Sequence, residues 1–116
     1  MDAVIGNLEY GRKQVLHGDH HVVITKEVKA AQGEHNPGTV FAVDDSGDLV
    51  PLDPAAYGTT QTVKCVLLEQ TDTASVDAAP MCVHGPVKKS VLVDKDGTAV
   101  IDAVIADLEA LTIYAV

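Results

Sequence analysis

Aromatic residues are nearly absent from this sequence. It contains no Trp, one Phe and three Tyr, although 47% of its 116 residues are hydrophobic. Any core must therefore be aliphatic, and the abundant Val favours β-strands, because a side chain branched at Cβ packs well on a pleated surface. A chain of this length suits one domain, which can bury a core without a metal ion or disulfides.

Positive charge is also scarce, with eight basic residues against seventeen acidic ones and a net charge of −9. Nucleic acids and anionic membranes bind clusters of Lys and Arg, so this balance argues against both as partners. Apolar runs are far shorter than the roughly 20 residues of a membrane helix. The first residues, with Asp2 and Glu9, do not predict a signal peptide.

Only two cysteines are present, Cys65 and Cys82, each inside a Val-rich segment. Two cysteines do not make a disulfide framework, and we expect synthesis in a cytoplasm-like compartment. We therefore predict that both are free thiols buried in strands. A bridge between Cys65 and Cys82 is the alternative.

Charge and pattern both change at Pro37-Gly38. Residues 1–36 carry four basic and five acidic residues, a net charge of −1, whereas residues 37–116 carry four and twelve, a net charge of −8. The first twenty residues show no sustained hydrophobic period, and glycines at positions 6, 11 and 18 interrupt them. We predict an extended N-terminal arm over residues 1–20 and a single body over residues 21–116.

Short apolar runs between turn signals predict the elements of the body. Strands are expected over 21–28, 62–69, 81–84 and 113–116, with a hairpin over 39–52 and an extended segment over 87–93. Asp44-Asp45-Ser46-Gly47 provides the hairpin turn. Because Pro51 cannot donate to a ladder, its strand lies at an edge or ends there.

One helix is expected near the C-terminus, from a cap at Thr98 to about Leu111. Its apolar face comprises Val100, Ile101, Val104, Ile105, Leu108 and Leu111. The predicted fold class is mainly β with minor α+β character. It is a small β-clip or barrel-like body with one C-terminal amphipathic helix and an extended N-terminal arm.

Three histidines flank Asp19, namely His17, His20 and His21. Imidazole and carboxylate ligands suit zinc or nickel. A structural site needs four ligands, however, and the other histidines, His35 and His84, are distant in sequence. We therefore expect solvated or interface histidines and no metal or other cofactor. A small β-barrel module that binds a ligand or metal through these histidines is the alternative function.

Motifs for catalysis or calcium binding are absent from the sequence. An EF-hand loop has Gly at its sixth position and Glu at its twelfth. The segment that begins with Asp94-Lys95-Asp96-Gly97 has Gly at its fourth position and the apolar Ile105 at its twelfth, so it predicts a turn and not an EF-hand. There is no nucleophile elbow around a Ser, no Walker loop and no dinucleotide fingerprint. We expect a protein that is not an enzyme and has no catalytic residues.

Several short blocks follow one another in an order that is more informative than any single motif. They are Gly18-Asp19, Val22-Val23-Ile24-Thr25, Ala31-Gln32-Gly33, Pro37-Gly38-Thr39-Val40, Asp48 to Ala56, Cys65-Val66-Leu67-Leu68 and Met81 to Val87. With a closing segment from Ile101 to Ile113, this order resembles the bacteriophage head decoration proteins, the family of the phage lambda decoration protein D, over about residues 18–116. Many relatives carry a basic residue where this chain has Asn36-Pro37, and often Gly where it has Thr112.

The resemblance implies a homotrimer with a mostly β body, made in the host cytoplasm. It would sit on the outer capsid surface of the virion, at three-fold and quasi-three-fold points of the expanded head, and cement the head against packed DNA. The implied partner is the major capsid protein, without nucleic acid, membrane, cofactor or reaction. A tail or baseplate adaptor would share the arm-and-body plan and is a further alternative.

We expect the arm to supply the capsid contact. Its backbone groups are satisfied when it adds a strand to a sheet of the capsid protein. The residues expected to bind the capsid are Leu8, Tyr10, Val15, Leu16 and His17.

Overall fold

The computed structural model describes residues 14–18 and 21–116. Within these residues the protein is mainly β, as predicted, with one complete α-helix, α1 (Asp102–Ala110), and a 3₁₀ turn at Lys89–Val91. Gln14 and Val15 are also helical, so this part of the predicted extended arm is not extended. The strands are β1 (Val22–Glu27), β2 (Glu34–His35), β3 (Val40–Val43), β4 (Leu49–Pro51), β5 (Thr62–Leu67), β6 (Thr71–Asp72), β7 (Ala78–Val87) and β8 (Ile113–Ala115).

Six strands form the main sheet. Its order is β1-β7-β5-β3-β4, all antiparallel, and β8 lies parallel to the last residues of β7. Strands β2 and β6 form a separate pair. The two outer strands approach each other just beyond β1, where the Lys29 amide donates to the Leu49 carbonyl at 3.0 Å. No closed barrel forms within the described residues.

The hairpin of β3 and β4 agrees with its sequence prediction. The Asp44 carboxylate accepts hydrogen bonds from the amides of Ser46 and Asp48 at 3.0 and 2.9 Å. The bond from Asp48 is the main cause of a lowered pKa at Asp44. Strand β4 is the last in the sheet and ends at Pro51, so the inference from the missing amide of Pro51 is confirmed.

Strand β7 is much longer than the four residues predicted for it. It runs for ten residues and includes Pro80, which lies just before the predicted strand. Pro80 is tolerated because its backbone faces β5 and not β1. Its carbonyl accepts the Leu68 amide at 3.0 Å, and its missing amide lies opposite Leu68, just beyond the last residue of β5. The predicted extended segment over 87–93 is wrong beyond Val87, since Lys89–Val91 turns back as a 3₁₀ helix.

Helix α1 begins later than predicted, because Thr98 belongs to a hydrogen-bonded turn with Asp94. The Asp94 carboxylate accepts the Thr98 amide at 3.2 Å, and the Asp94 amide donates to the Thr98 carbonyl at 2.9 Å. Ile101 is the residue before the helix, and it caps no amide with its side chain. No helix in the described residues is long and apolar enough to cross a membrane.

Both faces of the main sheet are covered by apolar side chains. The cluster on the helix side consists of Val15, Val40, Ala42, Leu52, Val63, Val66, Leu68, Cys82, Val87, Leu92, Val104, Leu108 and Ile113. The second cluster consists of Val28, Phe41, Leu49, Cys65, Leu67, Ala79 and Met81. From the predicted apolar face of the helix, Val104 and Leu108 are buried, whereas Ile101 and Leu111 are exposed.

The Pro37-Gly38 turn is an internal joint of the body and no boundary between domains. Gly38 donates its amide to the Leu67 carbonyl at 2.8 Å and accepts the Val93 amide at 3.2 Å. Its φ is +98°, and a Cβ placed there would lie 2.3 Å from the Val91 carbonyl oxygen. Only glycine fits this position, because both the backbone angle and the space exclude a side chain.

Replacing Gly38 therefore tests how closely the turn is packed. We expect Gly38→Ala to lower the free energy of unfolding by more than about 3 kcal/mol, since the clash is with backbone. Gly47→Ala is the matched control, because Gly47 also has a positive φ of +84° but has open space around it, and it should cost about 1–2 kcal/mol. Urea unfolding measures both, and equal losses would contradict the clash.

Thr112 adopts a left-handed backbone conformation, with φ of +66°. A β-branched residue is strained there. Its hydroxyl oxygen is joined to His84 Nδ1 by a hydrogen bond of 2.7 Å.

We expect Thr112→Gly to raise the free energy of unfolding by about 1 kcal/mol, because relief of the strained φ outweighs the loss of an exposed hydrogen bond. Thr112→Val keeps the branched Cβ and removes only the hydroxyl, so it should be destabilising. Thermal unfolding of both variants separates the two terms. A less stable Thr112→Gly protein would show that the hydrogen bond dominates.

Candidate functional site

The first described residues are bound to the body. The Val15 carbonyl accepts the Lys88 amide at 2.6 Å, and the His17 amide donates to the Pro86 carbonyl at 3.1 Å. Val15 has no exposed surface and belongs to the helix-side cluster. Burial of a Val side chain contributes about 1.5–3 kcal/mol. We call residues 14–17 the arm root.

The arm root lies on the same side of β7 as β1. Leu16 forms an antiparallel bridge with Val87, and β1 pairs with the preceding part of β7, beginning opposite His84. The chain therefore follows one side of β7 twice, first as the arm root and then as β1. This arrangement fixes where residues 1–13 join the body.

The residues predicted to bind the capsid are divided by this arrangement. Val15 is buried and Leu16 is partly buried against the core, whereas the side chain of His17 is exposed. Leu8 and Tyr10 lie outside the described residues. In this structure Val15 and Leu16 anchor the chain to the body, and their predicted role in capsid contact stays a prediction.

A cleft of about 420 Å³ opens between the end of β1 and the hairpin of β3 and β4. Lys26, Lys29 and Lys64 line it, together with Glu27 and Asp48. Three of the eight basic residues of an acidic chain therefore meet at one place. Since no motif joins these lysines, their spacing in the sequence gives no sign of the cleft, and only the strand register brings them together.

The three lysines have different partners. Lys29 lies 3.6 Å from the Asp44 carboxylate and 3.9 Å from that of Asp48. Lys26 and Lys64 form no ion pair within the described part of the chain, although both act electrostatically on the thiol of Cys65. The cleft thus presents two ammonium groups whose charge the body does not neutralise by direct contact.

His21, His35 and His84 each form a separate hydrogen bond. His21 Nε2 donates to the Pro86 carbonyl at 2.9 Å, and His35 Nε2 donates to the Gln32 carbonyl at 2.7 Å while its ring meets the Phe41 ring edge-on. His84 bonds Thr112 as described above. No group of three metal-ligating side chains occurs among residues 14–18 and 21–116. Asp19 and His20, the remaining members of the suggested site, lie outside those ranges.

Both cysteines are free and buried, which confirms the prediction for them. Burial raises the pKa of the Cys65 thiol to about 12, and the nearby lysines oppose this only in part. Burial also raises the pKa of Cys82, whose thiol donates to the His84 carbonyl at 3.3 Å. Thiols with raised pKa values are poor nucleophiles at neutral pH, so both cysteines belong to the core.

The raised pKa of Cys65 predicts a loss of stability in alkali. Above an ordinary value of about 9 the unfolded chain loses this proton, while the folded protein keeps it up to about pH 12. The free energy of unfolding should therefore fall between these values, by about 1.4 kcal/mol per pH unit for one fully coupled thiol. Urea unfolding at several pH values measures this. Cys65→Ala should lower stability at pH 7 but show a shallower decline in alkali, and an unchanged slope would contradict the assignment.

These features define a class of protein. The thiols are inert and the histidines hold local hydrogen bonds, while the arm root is bound near the start of β1 and the lysine-lined cleft opens at the other end of that strand. This is a small mainly β protein whose distinctive surfaces are suited to contact with other proteins.

The family is established by direct comparison. The family model of the bacteriophage lambda head decoration protein D matches residues 11–113, which is most of the chain. The chain therefore belongs to the bacteriophage lambda head decoration protein D family, as its resemblance indicated. Comparison with curated proteins gives no match.

Membership of this family gives the general role. The protein is a structural protein of the phage head, it binds the capsid, and it is located on the capsid surface of the virion. It is not an enzyme. This family role favours capsid decoration over the alternatives of a small ligand-binding module and a tail or baseplate adaptor.

Proposed function

We propose that the protein binds the outside of the expanded head as a homotrimer, at three-fold and quasi-three-fold sites, and stabilises the head against the pressure of packed DNA. Its partners in this role are the major capsid protein and two further copies of itself. The observation that carries the proposal is the arm root, which ties the segment before residue 14 to the core of the body. A segment anchored in this way can transmit a capsid contact to the whole domain.

The arm before the root supplies the bond to the capsid. An extended segment satisfies its backbone amides and carbonyls by adding a strand to a sheet of the capsid protein. Leu8 and Tyr10 then bury apolar area at the contact. The exposed His17 lies at the edge of this contact, and Val15 and Leu16 serve as its fixed end.

Trimer formation makes weak arms effective. A segment that becomes ordered on docking loses conformational entropy, so one arm alone binds weakly. Three arms on one trimer make the second and third contacts intramolecular, which adds on the order of 10²–10⁴-fold in avidity. This gain depends on site spacing, so the trimer distinguishes expanded heads from unexpanded ones.

Deletion of residues 2–13 tests the arm. We expect the shortened protein to keep its fold and its trimeric state, because the arm root and core remain, but to lose at least about 100-fold in affinity for expanded heads. Co-sedimentation with empty expanded heads measures binding, and analytical ultracentrifugation measures assembly. Full affinity after the deletion would show that the arm is not the clamp.

Two controls make the deletion specific. A longer deletion that begins the chain near residue 20 also removes Val15 from the core, so it should destabilise the body and cannot report on the arm alone. Val15→Ala in the full chain separates these effects, since it should lower the free energy of unfolding by about 2 kcal/mol while the arm is still present. Unexpanded heads serve as the second control, and equal binding to both head forms would contradict the dependence on spacing.

A further inference from the structure

The outer edge of β1 has backbone groups without a partner among the described residues. Among residues 14–18 and 21–116, strand β1 pairs only with β7. Just beyond β1, the Val28 amide donates to the Asp77 carbonyl at 2.9 Å, which fixes the alternation of the ladder. Every second residue of β1 therefore bonds to β7, and the remaining ones direct their amides and carbonyls outward. These residues are Val23, Thr25 and Glu27.

Pro80 confirms this alternation independently. It lies opposite Thr25 in the register of β1 and β7. Pro80 has no amide hydrogen, and its carbonyl accepts the Leu68 amide on the opposite side of β7. Thr25 consequently has no partner on β7, and its backbone groups belong to the outer edge.

Two apolar side chains of β1 are also exposed to solvent. Val22 and Ile24 are 45% and 46% exposed, and the only irregularity in the pairing falls between Val22 and Val23, which leaves the rest of the strand regular. Natural edge strands are usually blocked by charges, proline or bulges, because an open edge is a template for another strand. By contrast, β4 ends in Pro51 and its Leu49 carbonyl is already bonded to Lys29.

The open edge leads to the lysine-lined cleft. Lys26 lies on β1, and Lys64 faces the same cleft from β5. Neither has a carboxylate partner in the described residues, although the chain carries seventeen acidic residues. A strand laid along β1 would bring its end to these two ammonium groups, which favour an acidic side chain.

We infer that the outer edge of β1 binds an extended segment of the capsid protein as an added strand, and that an acidic side chain of this segment occupies the cleft beside Lys26 and Lys64. The inference rests on the proposed function. A capsid segment is favoured as the occupant because members of this family bind the capsid, and because Lys26 and Lys64 beside the edge, which have no carboxylate partner in the described residues, favour a strand that carries an acidic side chain.

Thr25→Pro tests the added strand. It removes one outward amide hydrogen and no bond to β7, whereas Thr25→Ala trims the side chain and keeps that amide. We expect Thr25→Pro to bind expanded heads at least about tenfold more weakly than Thr25→Ala, because each of three edges loses a backbone bond. Equal affinities would overturn the inference. A change in oligomeric state on ultracentrifugation would also overturn it, since the edge would then bind a second copy.

Hydrogen exchange of the unaltered protein provides a measurement that does not depend on how Thr25→Pro folds. The amides of Val23, Thr25 and Glu27 should exchange at least about tenfold more slowly on expanded heads than in the free trimer. Mass spectrometry with residue resolution, after release from the heads, detects this change. Unchanged exchange at these amides would overturn the inference.

Charge reversal tests the cleft. Lys64→Glu should weaken head binding about fivefold at low salt and less at high salt, because a solvated ion pair is lost. Lys95→Glu is the matched control, since Lys95 lies outside the cleft and pairs with Asp96 at 3.3 Å. Equal effects of both variants would mean that only overall charge matters and would overturn the acidic contact.

The deletion of residues 2–13 separates this inference from the proposed function. If the deletion abolishes binding while Thr25→Pro has no effect, the arm binds as proposed and the β1 inference fails. If the deletion leaves binding intact, the proposed role of the arm fails. A remaining effect of Thr25→Pro on heads would then still support the edge of β1 as a capsid contact.

Discussion

Backbone pairing along β7 is the constraint on which the rest of this structure depends. On one side this strand bonds to β1 and then to the arm root, and on the other to β5 and then to β8. Because β7 has a neighbour on each side, its residues must alternate between bonding to one neighbour and bonding to the other. Pro80 meets this requirement because its missing amide faces the end of β5 and leaves the bonds to β1 intact, and Pro86 contributes its carbonyl to both His17 and His21.

The same strand shows how far sequence patterns reach. The hairpin around Asp44 and the edge position of Pro51 were predictable, because turn chemistry and a missing amide act locally. The length of β7 was not predictable. The energetic cost of Pro80 within a strand depends on whether a neighbouring strand needs the amide hydrogen that proline lacks. The start of α1 was missed for a related reason, because the Asp94 carboxylate binds the Thr98 amide first.

The candidate site was predictable only in part. Family resemblance correctly indicated capsid binding, whereas the predicted arm over residues 1–20 stays a prediction. Val15 lies in a segment without a hydrophobic period. Its neighbours in the sequence therefore do not show whether its side chain is buried in the body or contacts the capsid. The cleft between β1 and the hairpin could not be predicted for another reason. Lys26 and Lys64 are brought together by the order of the strands in the sheet and not by their spacing in the sequence.

In the proposed role of the arm, the arm root would link the strength of capsid binding to the stability of the body. The arm root is held in place by the burial of Val15 and by backbone bonds to Pro86 and Lys88. Because the Val15 side chain sits in the same cluster as Leu108 and Ile113, withdrawing it would open the core beneath the helix. Displacement of the arm root is therefore opposed by the packing of the helix-side cluster, which is the property that the proposed role of the arm requires.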